Sequence, residues 1–172
     1  MRVIAVERKV LNALQKNDRK AWKEIERKGG VRLSLAGEES ISVEATDPQQ
    51  QGAEWMAEKV LEALSLGFPC SRAIKLFNDD YYLEVLDLDL IMRRNAKQIT
   101  RYKARVIGSG GKAKSKIEEL TGAFLSVADD KIGLIGKYDE LSQAKEAVTR
   151  LLEGSTHSSV YSFLERKRKT SF

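Results

Sequence analysis

Apolar residues follow one succession of helical and alternating spacings along this chain, and the succession occurs twice. In the later occurrence, Ala113, Ile117 and Leu120 are spaced for one helix face. Thr121-Gly122 ends that helix, because glycine takes the left-handed cap conformation. Residues 123–127 read as a strand, Asp129-Asp130 as a turn and residues 132–135 as a second strand. An amphipathic helix over 140–152 follows, with Leu141, Ala144, Val148 and Leu151 inward. The earlier occurrence predicts strands over 31–35 and 41–45. A long helix over 51–64 comes next, with Asp47-Pro48 at its start. An opening strand precedes each, over 3–6 and 83–88.

The two occurrences are copies. Residues 19–35 fall on residues 111–127, and Lys, Ala, Ile, Glu, Gly, Leu and Ser recur at equivalent places. After a shift of one residue the match continues, with Ile41 on Ile132, Val43 on Leu134 and Ala53 on Ala144. Strand, helices, two strands and helix give an α+β fold with helices packed on one side of each three-stranded sheet. The expected organisation is a first module over 1–66, a linker over 67–80, a second module over 81–154, and a C-terminal helix with a basic tail over 155–172. Residues 74–77 read as a short helix packing one module on the other. Trp22 and Trp55 occur only in the first module and read as core or interface residues.

Charge changes this picture. The 30 basic and 25 acidic side chains leave a net +5. Residues 1–80 are neutral, so the excess lies in the second module. It concentrates between Leu90 and Ile117, where Arg93, Arg94, Lys97, Arg101, Lys103, Arg105, Lys112, Lys114 and Lys116 stand without one acid. A solvated helix face would mix both signs, so this stretch points to an external polyanion. Arg166, Lys167, Arg168 and Lys169 form a second cluster. One cysteine, Cys70, excludes an intrachain disulfide framework and suits a reducing compartment. One histidine, His157, leaves no Cys/His zinc site. No apolar run approaches the ~20 residues that span a bilayer. The reading is a cytoplasmic protein with no membrane partner, no cofactor and no metal.

Gly108-Ser109-Gly110-Gly111-Lys112 carries the chemistry. It is not a P-loop, because Val106 stands where the first glycine belongs and Ala113 where the Ser or Thr belongs. A dinucleotide-binding turn needs a buried strand before it, and residues 98–105 keep helical spacing instead. What remains is a helix–GxxG–helix turn. Glycines there let a backbone approach with no Cβ in the way, and the following helix offers free N–H groups to a phosphate. Asp79-Asp80 and Asp129-Asp130 are the acid pairs an enzyme could use for a metal, but both sit in predicted turns, and His157 has no partner for base chemistry. No catalytic residue is assigned. A protein-interaction scaffold or translation-factor partner with incidental RNA binding is the alternative function.

Ile107-Gly108-Ser109-Gly110-Gly111-Lys112 followed by Ile117-Glu118-Glu119-Leu120-Thr121-Gly122 resembles the core of a KH domain. Residues 79–85 and 157–168 narrow the resemblance to the two-KH small-subunit ribosome-assembly factors, the partner-of-Nob-one (Dim-two) family and its archaeal counterparts. The resemblance implies two tandem type I KH domains (βααββα) and RNA binding in ribosome biogenesis. It implies partners as well: single-stranded RNA of the small-subunit rRNA 3′ region, the rRNA-processing endonuclease and the α subunit of initiation factor two. A KH loop clamps about four nucleotides. Here the strand would lie between Gly108, Ser109, Gly110, Gly111 and an apolar groove of Val106, Ile107 and Ile117. Base edges would be read along 124–127. Arg101, Arg105, Lys112, Lys114 and Lys116 would supply salt-dependent affinity, and Arg166, Lys167, Arg168 and Lys169 would extend the footprint. The first module has Lys16-Asn17-Asp18-Arg19 in place of the glycines, so clamping is not expected there.

Overall fold

The computed structural model describes residues 1–170, which fall into two compact units, the first Met1–Asp79 and the second beginning at Asp80. The tail residues 171 and 172, included in the predicted C-terminal segment, lie outside the described residues.

The first unit runs β1 (Arg2–Ala5), α1 (Arg8–Gly29, two helical arms joined by a non-helical turn at Lys16 to Arg19), β2 (Val31–Gly37), β3 (Ser40–Ala45) and α2 (Ala53–Ser65). The helix α3 (Cys70–Ala73) and a 3₁₀ turn (Ile74–Phe77) close it. The second unit runs β4 (Tyr82–Asp87), α4 (Leu88–Ile91), α5 (Ala96–Ile107), α6 (Lys112–Thr121), β5 (Phe124–Ala128), β6 (Lys131–Gly136), α7 (Tyr138–Leu152) and α8 (His157–Thr170). Each unit has one antiparallel three-stranded sheet with its last strand in the middle, in the orders β1-β3-β2 and β4-β6-β5. The α+β class and the KH topology expected from the sequence are therefore present, and α8 is a true helix.

The repeat is visible atom by atom. Ile25 and Ile117 are both fully buried, as are Ile41 with Ile132 and Val43 with Leu134. Gly30 and Gly122 both end their helices in the left-handed conformation, each donating its N–H to the carbonyl of a glutamate, Glu26 or Glu118. The same glutamates send Oε1 forward to accept the amide of Leu33 and of Leu125, at 2.8 Å in both units. A carboxylate acceptor thus ties the end of α1 to β2 and α6 to β5.

The structure adds local detail to the sequence reading at three places. The long helix of the first unit starts at Ala53, not at residue 51. Asp47 accepts the Gln49 amide at 2.9 Å in a turn of its own, and Gly52 is left-handed at φ 87°. Residues 67–80 are not a loose connection: Phe68, Ala73, Ile74 and Leu76 are buried, and the 3₁₀ turn packs on α1 and α2. Trp22 is in the core, but Trp55 is half exposed on α2.

Candidate nucleic-acid interface

The turn between α5 and α6 is built from three glycines with positive φ: Gly108 at 73°, Gly110 at 61° and Gly111 at 78°. Their surroundings divide them into two kinds. A Cβ on Gly108 would stand 2.7 Å from both the backbone nitrogen and the Cβ of Ala113. On Gly110 or Gly111 a Cβ would meet nothing within 4 Å. Gly108 lets the chain double back against α6, whereas Gly110 and Gly111 leave the outer face of the turn bare.

Behind that bare face α6 begins without a side-chain cap and with no acid in its first turn. Its neighbours in the unit differ. Asp87 caps α4, Asn95 caps α5 with Oδ1 accepting the Gln98 amide at 3.2 Å, and Glu140 accepts the Lys137 amide at 2.8 Å before α7. Thr156 Oγ1 accepts the Ser159 amide at the start of α8. An uncapped N-terminus leaves N–H donors and the positive end of the helix dipole turned outward. Lys112 is exposed beside it and Lys114 half-buried, while Lys116 lies 3.9 Å from Glu119. Ser109 is exposed and Ile107 half-buried.

Three expected site residues lie elsewhere. Val106 is completely buried, as is Ile117, because both sit on the core face of their helices. Neither lines a groove open to a ligand. Arg105 turns inward too: Nη1 donates to the Leu151 carbonyl at 2.8 Å and Nη2 to the Ser155 carbonyl. His157 Nε2 meets the Arg105 carbonyl at 2.7 Å. These contacts pin α5 to the joint between α7 and α8, and they spend the guanidinium on carbonyls at a helix end. Arg101 stays exposed, stacked near Tyr102 at 5.8 Å. Arg166, Lys167, Arg168 and Lys169 are exposed at the far end of α8, which packs on α6 and α7 through Val160, Phe163 and Leu164. Arg150 covers the Phe163 ring at 3.8 Å. β5, the strand expected to read bases, is at the sheet edge.

The matching turn of the first unit keeps part of this geometry without glycine. Asp18 (φ 56°, ψ 37°) and Arg19 (57°, 33°) repeat the conformations of Gly110 (61°, 24°) and Gly111 (78°, 12°). Lys16 does not copy Gly108; it is extended, and Asn17 goes left-handed at 50° instead. Asp18 pairs with Lys23 at 3.2 Å and Arg19 covers Trp22 at 5.2 Å.

The acid pairs read from sequence are not brought together as pairs. Asp130 instead meets Asp87 and Asp89, with carboxylate oxygens within 4.8 Å of one another. Asp87 is occupied as the α4 cap, accepting from the Asp89 amide at 3.0 Å. The hydrogen bond between Asp89 and Asp130 raises the Asp89 carboxyl above its ordinary value and lowers that of Asp130. Such a pair is accounted for by its own contacts.

Residues 82–169 match the second KH domain of PNO1, a eukaryotic-type (type I) KH domain. The chain belongs to the PNO1/Dim2 family of KH-domain proteins. A KH domain-containing protein of Methanocaldococcus jannaschii is 38% identical over 86% of this chain and 65% of its own length. The pre-rRNA-processing protein PNO1 of Debaryomyces hansenii is 34% identical over 64% of this chain and 44% of its own. The chain thus spans about two thirds to under half of these curated relatives. Among solved structures, a protein of unknown function from Aeropyrum pernix superposes with a TM-score of 0.88 at 32% identity, covering 98% of this chain and 90% of that one. A chain of the a/eIF2alpha–aDim2p–rRNA complex from Pyrococcus horikoshii superposes with a TM-score of 0.87 at 29% identity, covering 98% and 94%. Among the described residues no helix is long and apolar enough to cross a membrane.

Proposed function

We propose that this protein is a non-catalytic RNA-binding factor of small-subunit rRNA processing. Its second unit holds single-stranded RNA from the 3′ region of the precursor and presents it for cleavage. One observation carries the reading: the bare Gly110-Gly111 face stands in front of an uncapped, acid-free helix N-terminus flanked by Lys112 and Lys114. A phosphodiester fits that arrangement, since it needs donors and positive potential with no side chain in its path. The rRNA in the complex of the 29%-identical Pyrococcus structure, and the pre-rRNA processing named for the PNO1 relatives, support the choice of RNA. The protein partners proposed are the endonuclease that makes the cut and the α subunit of initiation factor two, the latter supported by a/eIF2alpha in that same complex. The setting proposed is the cytoplasm.

The test is a salt titration of binding to a single-stranded RNA of the small-subunit rRNA 3′ sequence. Wild type is compared with the double variant Ser109→Asp/Gly110→Asp, which places two carboxylates on the bare face. A steep salt dependence in wild type and a large loss in the variant are expected. Equal binding by both proteins refutes the assignment of the turn.

A further inference from the structure

The two copies differ most between their first strand and first helix. Only Val6 and Glu7 separate β1 from α1, whereas residues 88–95 separate β4 from α5. The extra segment holds α4 and a turn in which Arg93 (φ 51°) and Arg94 (φ 59°) are both left-handed. Two consecutive non-glycine residues in that region cost about 1–2 kcal/mol each and persist only where the surroundings impose them. Here they are imposed. Leu88 and Met92 are buried on the N-terminal side of the turn, the Met92 amide donates to the Leu88 carbonyl at 2.9 Å, and the Arg94 amide donates to the Asp89 carbonyl at 2.8 Å.

This fixed turn displays charge. Arg93, Arg94 and Lys97 are exposed, and none forms an ion pair or a side-chain hydrogen bond among the described residues. Arg94 feels the Asp89 carboxyl electrostatically, but the two form no ion pair among the described residues. Two other cations of the stretch are engaged: Arg105 on carbonyls, Lys116 near Glu119. From this patch the 12-residue helix α5 runs straight to the glycine turn, a distance of about 18 Å at 1.5 Å per residue.

We propose that Arg93, Arg94 and Lys97 form a second phosphate-binding site, which takes the RNA backbone a few nucleotides away from the glycine turn. This rests on the reading of that turn as an RNA clamp, and extends it from a short contact to a track along α5. The patch has no ion-pair partner among the described residues, its backbone is fixed before any ligand arrives, and a polyanion long enough to span α5 meets cations at both ends. The exposed Leu90 and Ile91 beside it add no stacking surface for bases, so the contact is to phosphate and indifferent to sequence.

The experiment uses two single-stranded RNAs of the small-subunit rRNA 3′ sequence, one of about four nucleotides that fills a KH clamp and one of about twelve. The full chain is compared with Arg93→Gly/Arg94→Gly, in which glycine suits the positive φ and the fold is spared, and with Arg93→Lys/Arg94→Lys, which keeps the charge. Removing one phosphate-binding cation flattens the salt slope by about 0.7 for a single strand. The glycine variant should therefore bind the long RNA about 25-fold more weakly near 0.1 M salt, with a slope lower by roughly 1.4. It should bind the short RNA like wild type, and the lysine variant should restore the long one. Equal losses on both RNAs, or no loss on the long one, overturn the proposal. A Gly110→Asp arm tests the clamp separately: it should weaken both RNAs, and if it weakens neither, the clamp fails whatever the arginine variants do.

Discussion

Gly108→Ala separates the structural glycine of the turn from the ones that face a ligand. Gly108 has φ 73° and ψ 174°, a region populated almost only by glycine, where another residue costs of order 1–3 kcal/mol. The added methyl would also stand 2.7 Å from the Ala113 nitrogen and Cβ and 3.2 Å from its Cα. Those atoms open α6, whose Ala113, Ile117 and Leu120 are buried in the core, so they yield only by moving the helix. Overpacking of this kind costs about 1–3 kcal/mol more. The sum is about 4 kcal/mol, or a fall of roughly 20 °C in the melting temperature of a unit this size. Gly110→Ala meets nothing within 4 Å. Its left-handed penalty of about 1 kcal/mol is partly offset by the stiffer unfolded chain. Urea and thermal unfolding followed by far-UV circular dichroism, with hydrogen exchange at the β6 amides to localise the effect, measure both. If Gly108→Ala lies within about 1 kcal/mol of wild type, or if Gly110→Ala is as damaging, the division of labour among the glycines is wrong.

Glu118→Ala should destabilise the second unit by about 2 kcal/mol, the range for a hydrogen bond to a charged group, and Glu26→Ala should do the same to the first. Urea unfolding of the single variants checks both. Arg105→Ala should loosen α8, seen as faster hydrogen exchange between residues 157 and 170, yet leave the salt slope of RNA binding unchanged. A slope lower by about 0.7 would instead make Arg105 a phosphate contact. Asp89, raised by its hydrogen bond with Asp130, binds its proton more tightly folded than unfolded. Its contribution is thus present at low pH and lost as pH rises through its raised folded-state value. Asp130, lowered, loses its contribution as pH falls through its lowered folded-state value. Unfolding measured across acidic pH should show a shallow optimum between the two, and Asp89→Asn should abolish the upper limb.

Much of the fold was legible because the same apolar spacing occurs twice, and each copy vouches for the other. Ile25 with Ile117 and Ile41 with Ile132 are core pairs that the register alone picks out. The bounds of α2 were less legible, since Asp47-Pro48 makes a turn before the helix as readily as it caps one. In the proposed clamp, the glycines and Lys112 stand out in the sequence by their spacing. Val106 and Arg105 were misplaced for different reasons. Val106 shares its helix with cations, and charge count says nothing about which way a side chain faces. Arg105 is consumed by carbonyls of residues 46 and 50 positions away, contacts that no local pattern encodes. The extra segment 88–95 was hidden because the register begins only after it.

The left-handed turn of the first unit has a consequence for valency. At Asp18 and Arg19 the backbone already takes the conformations of Gly110 and Gly111, so a Gly-Ser-Gly-Gly graft over residues 16–19 asks for a new conformation mainly at the first position. Lys20 and Lys23 stand on the helix that follows. On the reading proposed above, a chain so altered would carry two clamps. For an RNA long enough to engage both, the second contact would form at a high local concentration, typically mM for short tethers, without any improvement in either clamp. On the proposed reading of the glycine turn as an RNA clamp, the carboxylate at Asp18 leaves the native chain with one such clamp, not two.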